Sequence, residues 1–273
     1  MMRSLWTAAT GMKAQQTSLD TISNNIANVN TIAYKSNSTQ FKNLLYQTLQ
    51  ARTTSANGDP KPTGAQVGLG TRVAATNASF KAGAMKASEN TNALYIQGTG
   101  FFAVQGVDGE RYFTRDGDFF WTIADNGQRV LANNSGNPVL DLNNNPIVLP
   151  DGASSESISY NSDGLVSYKN ADGTYTSTGQ TIAVYQFANM TGLQKEPGNL
   201  YSETEASGAA IQEQTTNLAI SPSAIRQGYT EMSNVNIADE MVNMIITQRA
   251  YELNSKAITT SDQMLDTANN LRR

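Results

Sequence analysis

Both ends of the chain carry apolar residues at a seven-residue spacing, which predicts two long helices. The first apolar seam consists of Leu5, Met12, Leu19, Ile22, Ile26 and Val29. The second apolar seam consists of Ile237, Met241, Met244, Tyr251, Ile258 and Leu265. A sustained heptad repeat makes a narrow seam that favours supercoiling, so both seams are predicted to form helix interfaces between chains. Two ordinary amphipathic helices packed on a globular core are the alternative.

Capping residues predict where these helices end and begin. Asn28 and Asn30 tolerate the left-handed conformation of a helix C-cap, so the first helix should end near Ala27. Ser233 or Asn234 is the predicted N-cap of the second helix. That helix should run from about residue 236 to residue 270, a length that is unusual in a compact domain.

A stripe of neutral polar residues is predicted on the second helix, away from its apolar seam. Its members are Thr247, Gln248, Asn254, Ser255, Ser261 and Asn269. Such a stripe can line a water-filled channel, or it can be a plain solvated helix face. The sequence favours neither interpretation.

Between the helices the apolar pattern changes to alternation, which predicts antiparallel strands. The candidate strands are residues 93–96, 101–105, 111–114, 119–123, 128–131, 164–168 and 181–187. Hairpin turns are predicted from Asp-Gly at Asp108, Asp116, Asp151, Asp163 and Asp172, and from Asn-Gly at Asn126. Residues 50–70 instead contain several Gly and Pro residues, which is typical of an extended connector.

The predicted fold class is therefore α+β, with four segments. Residues 1–45 and 221–273 form the two helical parts of a coiled-coil-like inner domain. Residues 46–70 are the extended connector, and residues 71–220 form a β-rich outer domain.

Composition narrows the possible functions. Charged residues make up 15% of the chain, against roughly 25% in a typical globular protein. A neutral polar surface packs against other chains without desolvating many ions. The net charge of -4 gives no broad basic face, so nucleic acid is not an expected partner.

The chain contains neither cysteine nor histidine, which argues against an enzyme. No thiolate nucleophile, no histidine base and no cysteine-ligated zinc is available. Residues 115–118 suggest calcium ligands, but a tight turn fits them better because the later EF-hand ligands are missing. A glycosidase would need two carboxylates, with Asp116, Asp118 and Asp163 as nominal candidates. We expect no catalytic residue, no metal and no cofactor.

Residues 1–12 contain one Arg and no unbroken apolar core, so they do not resemble a secretory signal peptide. No segment approaches the roughly 20 apolar residues of a membrane span. The sequence thus predicts no direct membrane insertion, and any export should use a route that cleaves no signal.

Several motifs resemble one known family. They are Ser23-Asn24-Asn25-Ile26-Ala27-Asn28-Val29-Asn30-Thr31 near the N-terminus, and residues 233–242 and 248–256 near the C-terminus. Shorter matches occur at residues 3–6, 44–48, 114–117 and 199–201. Together they resemble the rod and hook axial proteins of the bacterial flagellum.

The resemblance implies a structural subunit of the basal body that stacks helically into the hollow distal rod and transmits motor torque to the hook. It implies export by the flagellar type III apparatus to a rod that spans the periplasm. The implied partners are further copies, other rod proteins, the hook protein and the surrounding basal-body rings. A proximal rod or hook subunit stays open, as does an oligomeric secreted adhesin.

Overall fold

A computed structural model describes residues 2–50, 64–124, 127–150, 157–170, 174–214 and 222–270. Two long helices, α1 (Met2–Ala27) and α2 (Ile237–Asn270), enclose a run of antiparallel strands in sequence. The predicted α+β class is confirmed. Neither helix, over its described residues, is long and apolar enough to cross a membrane.

The strands of the described residues follow one another with short connections. In chain order they are β1 (Asn37–Asn43), β2 (Tyr46–Gln50), β3 (Ala65–Gly68), β4 (Thr71–Ala78), β5 (Met85–Ala87), β6 (Leu94–Gln97), β7 (Phe101–Gln105), β8 (Arg111–Thr114), β9 (Phe120–Ile123), β10 (Arg129–Ala132), β11 (Val148–Leu149), β12 (Ile158–Tyr160), β13 (Leu165–Lys169), β14 (Tyr175–Thr181), β15 (Val184–Gln186), β16 (Gln194–Glu196), β17 (Leu200–Ser202), β18 (Ile211–Gln212), β19 (Ala224–Gln227) and β20 (Tyr229–Glu231). A short 3-10 helix, Met190–Gly192, precedes β16.

The chain forms two compact units, each built from separated stretches of sequence. Unit 1 comprises Met1–Ala27, Asn37–Ala78 and Asn236–Arg273. Unit 2 comprises Asn28–Ser36 and Ser79–Val235. The strands β1 to β4 belong to the same unit as the two long helices.

In unit 1, α1 contacts α2 and also the antiparallel ladder of β1 and β4. The ends of the predicted connector are more ordered than expected, since β2 and β3 pair with each other. Alternating side chains such as Tyr46, Thr48 and Val67 suit such a ladder. The middle of the connector, residues 51–63, lies outside the described residues.

Two of the predicted caps are wrong. Helix α2 is capped by Asn236, because its Oδ1 accepts a hydrogen bond from the Ala238 N–H at 3.1 Å. Ser233 and Asn234 lie upstream and do not cap it. Helix α1 ends at Ala27 as predicted, but neither Asn28 nor Asn30 has a positive φ. The chain instead turns through a hydrogen bond from the Thr31 N–H to the Asn28 carbonyl oxygen.

Unit 2 is a β structure with a six-stranded sheet in the order β16-β17-β8-β7-β15-β18. Alternation along β7 explains its core: Phe102 and Val104 enter one apolar cluster, and Phe101 and Ala103 enter a second cluster. Two three-stranded sheets have the orders β11-β10-β9 and β12-β13-β14, and two further ladders pair β6 with β19 and β5 with β20.

All seven candidate strands overlap observed strands, while the turn predictions have mixed outcomes. Gly109 and Gly164 have positive φ values, as hairpin turns require. Gly117 does not, so Asp116-Gly117 is not such a turn. The predicted turns at Asn126, Asp151 and Asp172 fall on positions outside the described residues.

Candidate subunit interface

The two helices of unit 1 meet through small and polar side chains. Contacts occur in antiparallel order at intervals of seven and then fourteen residues: Ser4 Oγ to Ser261 Oγ at 3.2 Å, Gly11 beside Asn254, and Asn25 Nδ2 to Glu240 Oε1 at 3.0 Å. A Cβ added at Gly11 would lie 3.0 Å from Asn254 Nδ2, so the helices approach closely there. The contact within the chain is therefore not the predicted apolar seam.

The first apolar seam is mostly at the border of this contact. Ile22 is buried, whereas Leu5, Met12, Leu19 and Ile26 are half-buried. Val29 is also half-buried, but it lies beyond the end of α1 and belongs to unit 2. The α1 seam thus keeps apolar surface that a single chain does not cover.

The second apolar seam divides into two groups. Met244, Ile258 and Leu265 are half-buried, and they occur on the same side of α2 as the residues that contact α1. Ile237, Met241 and Tyr251 are exposed. Half of this seam is therefore available to a partner chain.

Sequence reasoning missed a further apolar series on α2. We call it the α2 stripe, and it consists of Val242, Ile246, Ala250, Leu253, Ala257 and Met264. Ala250 is half-buried and the others are exposed, with Leu253 at 67%. Spacings of three, four and seven put them on one side of the helix. A heptad count from Ile246 finds only Leu253, and a count from Ala250 finds Ala257 and Met264, so no single heptad register contains this stripe.

The polar residues predicted as a stripe away from the seam do not form one solvated face. Thr247 and Ser261 are buried, and Asn254 packs against Gly11, because the contact with α1 uses small polar side chains. Ser255 is half-buried, while Gln248 and Asn269 are exposed. The predicted exposure to water is therefore wrong for Thr247, Asn254 and Ser261.

Exposed apolar residues also mark the paired arms β2 and β3. Leu45, Tyr46 and Leu49 are 83%, 58% and 56% exposed, and Val67 and Leu69 on the opposite arm are also exposed. Monomeric proteins rarely display so much contiguous apolar surface, which typically marks a protein interface. Unit 1 therefore has unpartnered apolar surface on both its helices and its ladders.

Unit 2 contains a buried cluster of three charged residues that no sequence pattern indicated. The Glu231 carboxylate accepts hydrogen bonds from Lys35 Nζ at 2.7 Å and from Arg115 Nε at 2.9 Å. Gly83 N–H donates a third hydrogen bond at 2.7 Å. Lys35 and Arg115 are satisfied further by the carbonyl oxygens of Lys81 and Gly98. Each charge is thus both paired and hydrogen-bonded, as burial requires.

Burial and charge attraction shift the pKa values of two members of this cluster. Burial opposes the charge of Glu231, but attraction to Arg115 and Lys35 outweighs it and lowers the pKa of this carboxyl below its usual value. Burial lowers the pKa of Lys35, against the attraction of Glu231. The stabilising effect of Glu231 is present above its ordinary pKa and is lost as acid lowers the pH through its folded value.

The carboxylates considered for calcium or glycoside chemistry build turns instead. Asp116 Oδ1 accepts a hydrogen bond from the Asp118 N–H, and Asp118 Oδ1 accepts one from Asn90 Nδ2. Asp163 is exposed and contacts the Ser162 hydroxyl. Among the residues that the structure describes, no group of acidic side chains is arranged to hold a metal ion.

Asp116 provides a test of these electrostatics, because burial raises the pKa of its carboxyl from 3.8 to about 6. A raised pKa means that ionisation destabilises the fold. The penalty is absent below the ordinary value and is complete above the folded value. We expect Asp116→Asn to stabilise unit 2 by about 1–2 kcal/mol at pH 7.5 and by almost nothing at pH 3.5, after allowance for partial exposure.

Denaturant unfolding at the two pH values measures this difference. Asp163→Asn is the control, because Asp163 is exposed and should change stability little at either pH. Equal stabilisation by Asp116→Asn at both pH values would show that the charge of Asp116 is not responsible.

Comparison with known families accounts for both ends and the middle of the chain. The model of the flagella basal body rod protein matches residues 5–35. The flagellar hook protein FlgE/F/G D1 domain matches residues 95–168, and the flagellar basal body rod FlgEFG protein C-terminal matches residues 226–271. These matches define a structural protein of the flagellar rod and hook class.

Full-length relatives define the family within that class. The flagellar basal-body rod protein FlgG of Borreliella burgdorferi is 43% identical and is covered over 100% of both chains. The FlgG proteins of Bacillus subtilis and Caulobacter vibrioides are 38% and 37% identical, over 100% and 99% of this chain and 100% of each relative. The chain belongs to the FlgG family of flagellar basal-body rod proteins. It is a structural rod subunit of the basal body and not an enzyme.

Proposed function

We propose that the chain polymerises helically into the hollow distal part of the rod, which transmits motor torque to the hook. The observation that carries this proposal is the distribution of side chains on α2. Small polar residues fill its contact with α1, while the α2 stripe remains exposed. An exposed apolar series on a long helix is typical of a helix that packs against another chain.

The occupant that we propose for the α2 stripe is a second copy of this chain. Apolar residues are exposed on α2 and also on the arms β2 and β3, so one copy offers several surfaces that another copy can cover. A contact between two different surfaces is not closed by two-fold symmetry and can repeat into a helical filament. A stiff filament of that kind suits a drive shaft.

The predicted seam residues belong to the same proposal. In the assembled rod we expect Ile237, Met241 and Tyr251 to be covered by neighbouring chains, together with the uncovered edges of Leu5, Met12, Leu19 and Ile26. We further propose that the two long helices of unit 1 pack with those of neighbouring copies into an inner tube. Gln248, Ser255 and Asn269 remain the candidates for lining the central channel.

The proposed partners and route follow from family membership. Other rod proteins and the hook protein would contact the two ends of the polymer, and the basal-body rings would surround it. We propose export by the flagellar apparatus without signal cleavage. FlgG relatives match over their full lengths, which favours this assignment over a proximal rod or hook subunit.

Electron microscopy of concentrated, purified protein tests this function. We expect straight helical tubes in which the long helices occupy the smallest radius. Discrete trimers would support the adhesin alternative, and flat sheets would support a surface-layer protein. Either result would contradict the rod geometry.

A further inference from the structure

The last stretch of unit 2 in the sequence pairs with two strands of that unit and contacts several of its other segments. Residues 224–235 contain β19 and β20, which pair with β6 and β5. Among the described strands, β6 and β5 have no other ladder partner. Ile225, 4% exposed, belongs to the larger apolar cluster. Without residues 224–235, β5 and β6 therefore have no described ladder partner and the larger apolar cluster is incomplete.

Polar side chains of the same stretch satisfy backbone groups elsewhere in unit 2. Gln227 Nε2 donates to the Thr91 and Ile158 carbonyl oxygens, and its Oε1 accepts from the Tyr160 N–H. Asn234 Nδ2 donates to the Ser79 carbonyl oxygen. Without residues 224–235 these backbone groups would lose their partners, at a cost comparable to that of other unmade hydrogen bonds.

Glu231 adds a charge requirement to these contacts. Lys35 and Arg115 precede it by 196 and 116 residues, and their side chains are 1% and 4% exposed in the folded unit. Before Glu231 arrives, closing unit 2 would bury two cations with no anion. Uncompensated buried charges are strongly destabilising.

We propose that residues 224–235 are the closing segment of unit 2, and that unit 2 cannot fold until this segment delivers Glu231 to Lys35 and Arg115. The rest of the unit is then an incomplete fold with two unmatched cations. Folding is postponed until 231 of the 273 residues are present. Only the use of this delay, in keeping a chain unfolded for export, rests on the proposed function.

Native-state hydrogen exchange on the intact chain tests the proposal. The reporters in the closing segment are the Ile225, Gly228 and Met232 amides, which donate to Ser162, Ala93 and Ala84. The reporters in the core are the amides of β7. We expect both sets of amides to exchange through the same opening reaction. Their protection factors, which are corrected for intrinsic exchange, should be equal, and so should the denaturant dependence of their opening free energies. Protection of β7 that exceeds protection of the segment by more than about tenfold would overturn the proposal, since the segment could then leave a folded unit.

A pair of variants tests the role of the charge. Glu231→Gln should raise the exchange rates of β7 and of the closing segment together, by about 100-fold or more, because it leaves both cations without an anion. Glu203→Gln, at a partly exposed carboxylate, is the control and should change them less than about threefold. An increase confined to the segment would overturn the proposal, as would no increase. If Glu231→Gln does not fold, the hydrogen-exchange measurement on the unmodified chain tests the proposal by itself.

Discussion

Leu253→Asp should abolish polymerisation while leaving the single chain folded. Leu253 is 67% exposed in the chain, so the substitution removes little buried apolar surface from the monomer. In the proposed rod the α2 stripe is covered by another copy, and the new carboxylate would be buried without a partner. Such a charge costs several kcal/mol, on the order of 3–5 kcal/mol for an unpaired buried ion. The loss recurs in every subunit, so we expect no polymer by sedimentation or electron microscopy.

Thr259→Asp is the matched control for this prediction. Thr259 is exposed on the same helix, on a polar side that also carries Lys256. Both variants add one carboxylate in the interior of a helix, and Leu253→Asp loses about 0.5 kcal/mol more helix propensity than Thr259→Asp, which is far less than the cost of burying the charge. Circular dichroism should show folded protein for both variants, and only Thr259→Asp should polymerise. Normal polymerisation of Leu253→Asp would mean that the α2 stripe faces water in the rod.

The comparison of Leu253 with Thr247 shows what the heptad pattern could and could not predict. Two long helices were predictable, since the apolar spacing of seven continues through most of each. Which side of α2 faces α1 was not predictable, because apolar residues follow more than one heptad register. The structure resolves this with small side chains: Gly11 lets Asn254 approach, and Thr247 is buried while Leu253 is not.

The buried cluster of Glu231 is a different limit of sequence reasoning. Lys35, Arg115 and Glu231 have no shared spacing, and isolated charged residues are usually solvated. Only the fold brings them within hydrogen-bonding distance. A signal existed in the motifs of the resemblance, since residues 114–117 include Arg115. That motif indicated a family, but it did not indicate that Arg115 forms a buried ion pair.

Glycine illustrates the same limit in a single residue type. In the sequence, Asp108-Gly109 and Asp116-Gly117 both predict hairpin turns. Gly109 has φ +81 and open space around its Cα, which fits a turn. Gly117 has no positive φ, and it is needed because another backbone segment passes close by. Sequence alone cannot separate a glycine required for its dihedral angles from one required for its lack of a side chain.

Gly117→Ala should therefore be among the most destabilising single substitutions in unit 2. A Cβ at this position would overlap the Leu94 carbonyl oxygen and approach the Phe102 ring, and both groups belong to strands of the core. A backbone carbonyl cannot rotate away as a flexible side chain can, so β6 would have to shift. We expect a loss of about 3 kcal/mol in the free energy of unfolding, at the upper end of overpacking effects.

Gly109→Ala is the matched comparison for Gly117→Ala. Its new methyl group meets no atom within 4 Å, so the only cost is the positive φ, about 1 kcal/mol. Denaturant unfolding followed by the fluorescence of Trp121, which contacts the core of unit 2, measures both variants. The free energy of unfolding should be highest for the unmodified chain, slightly lower for Gly109→Ala and much lower for Gly117→Ala. Equal losses would show that β6 can move away from the added methyl group at little cost.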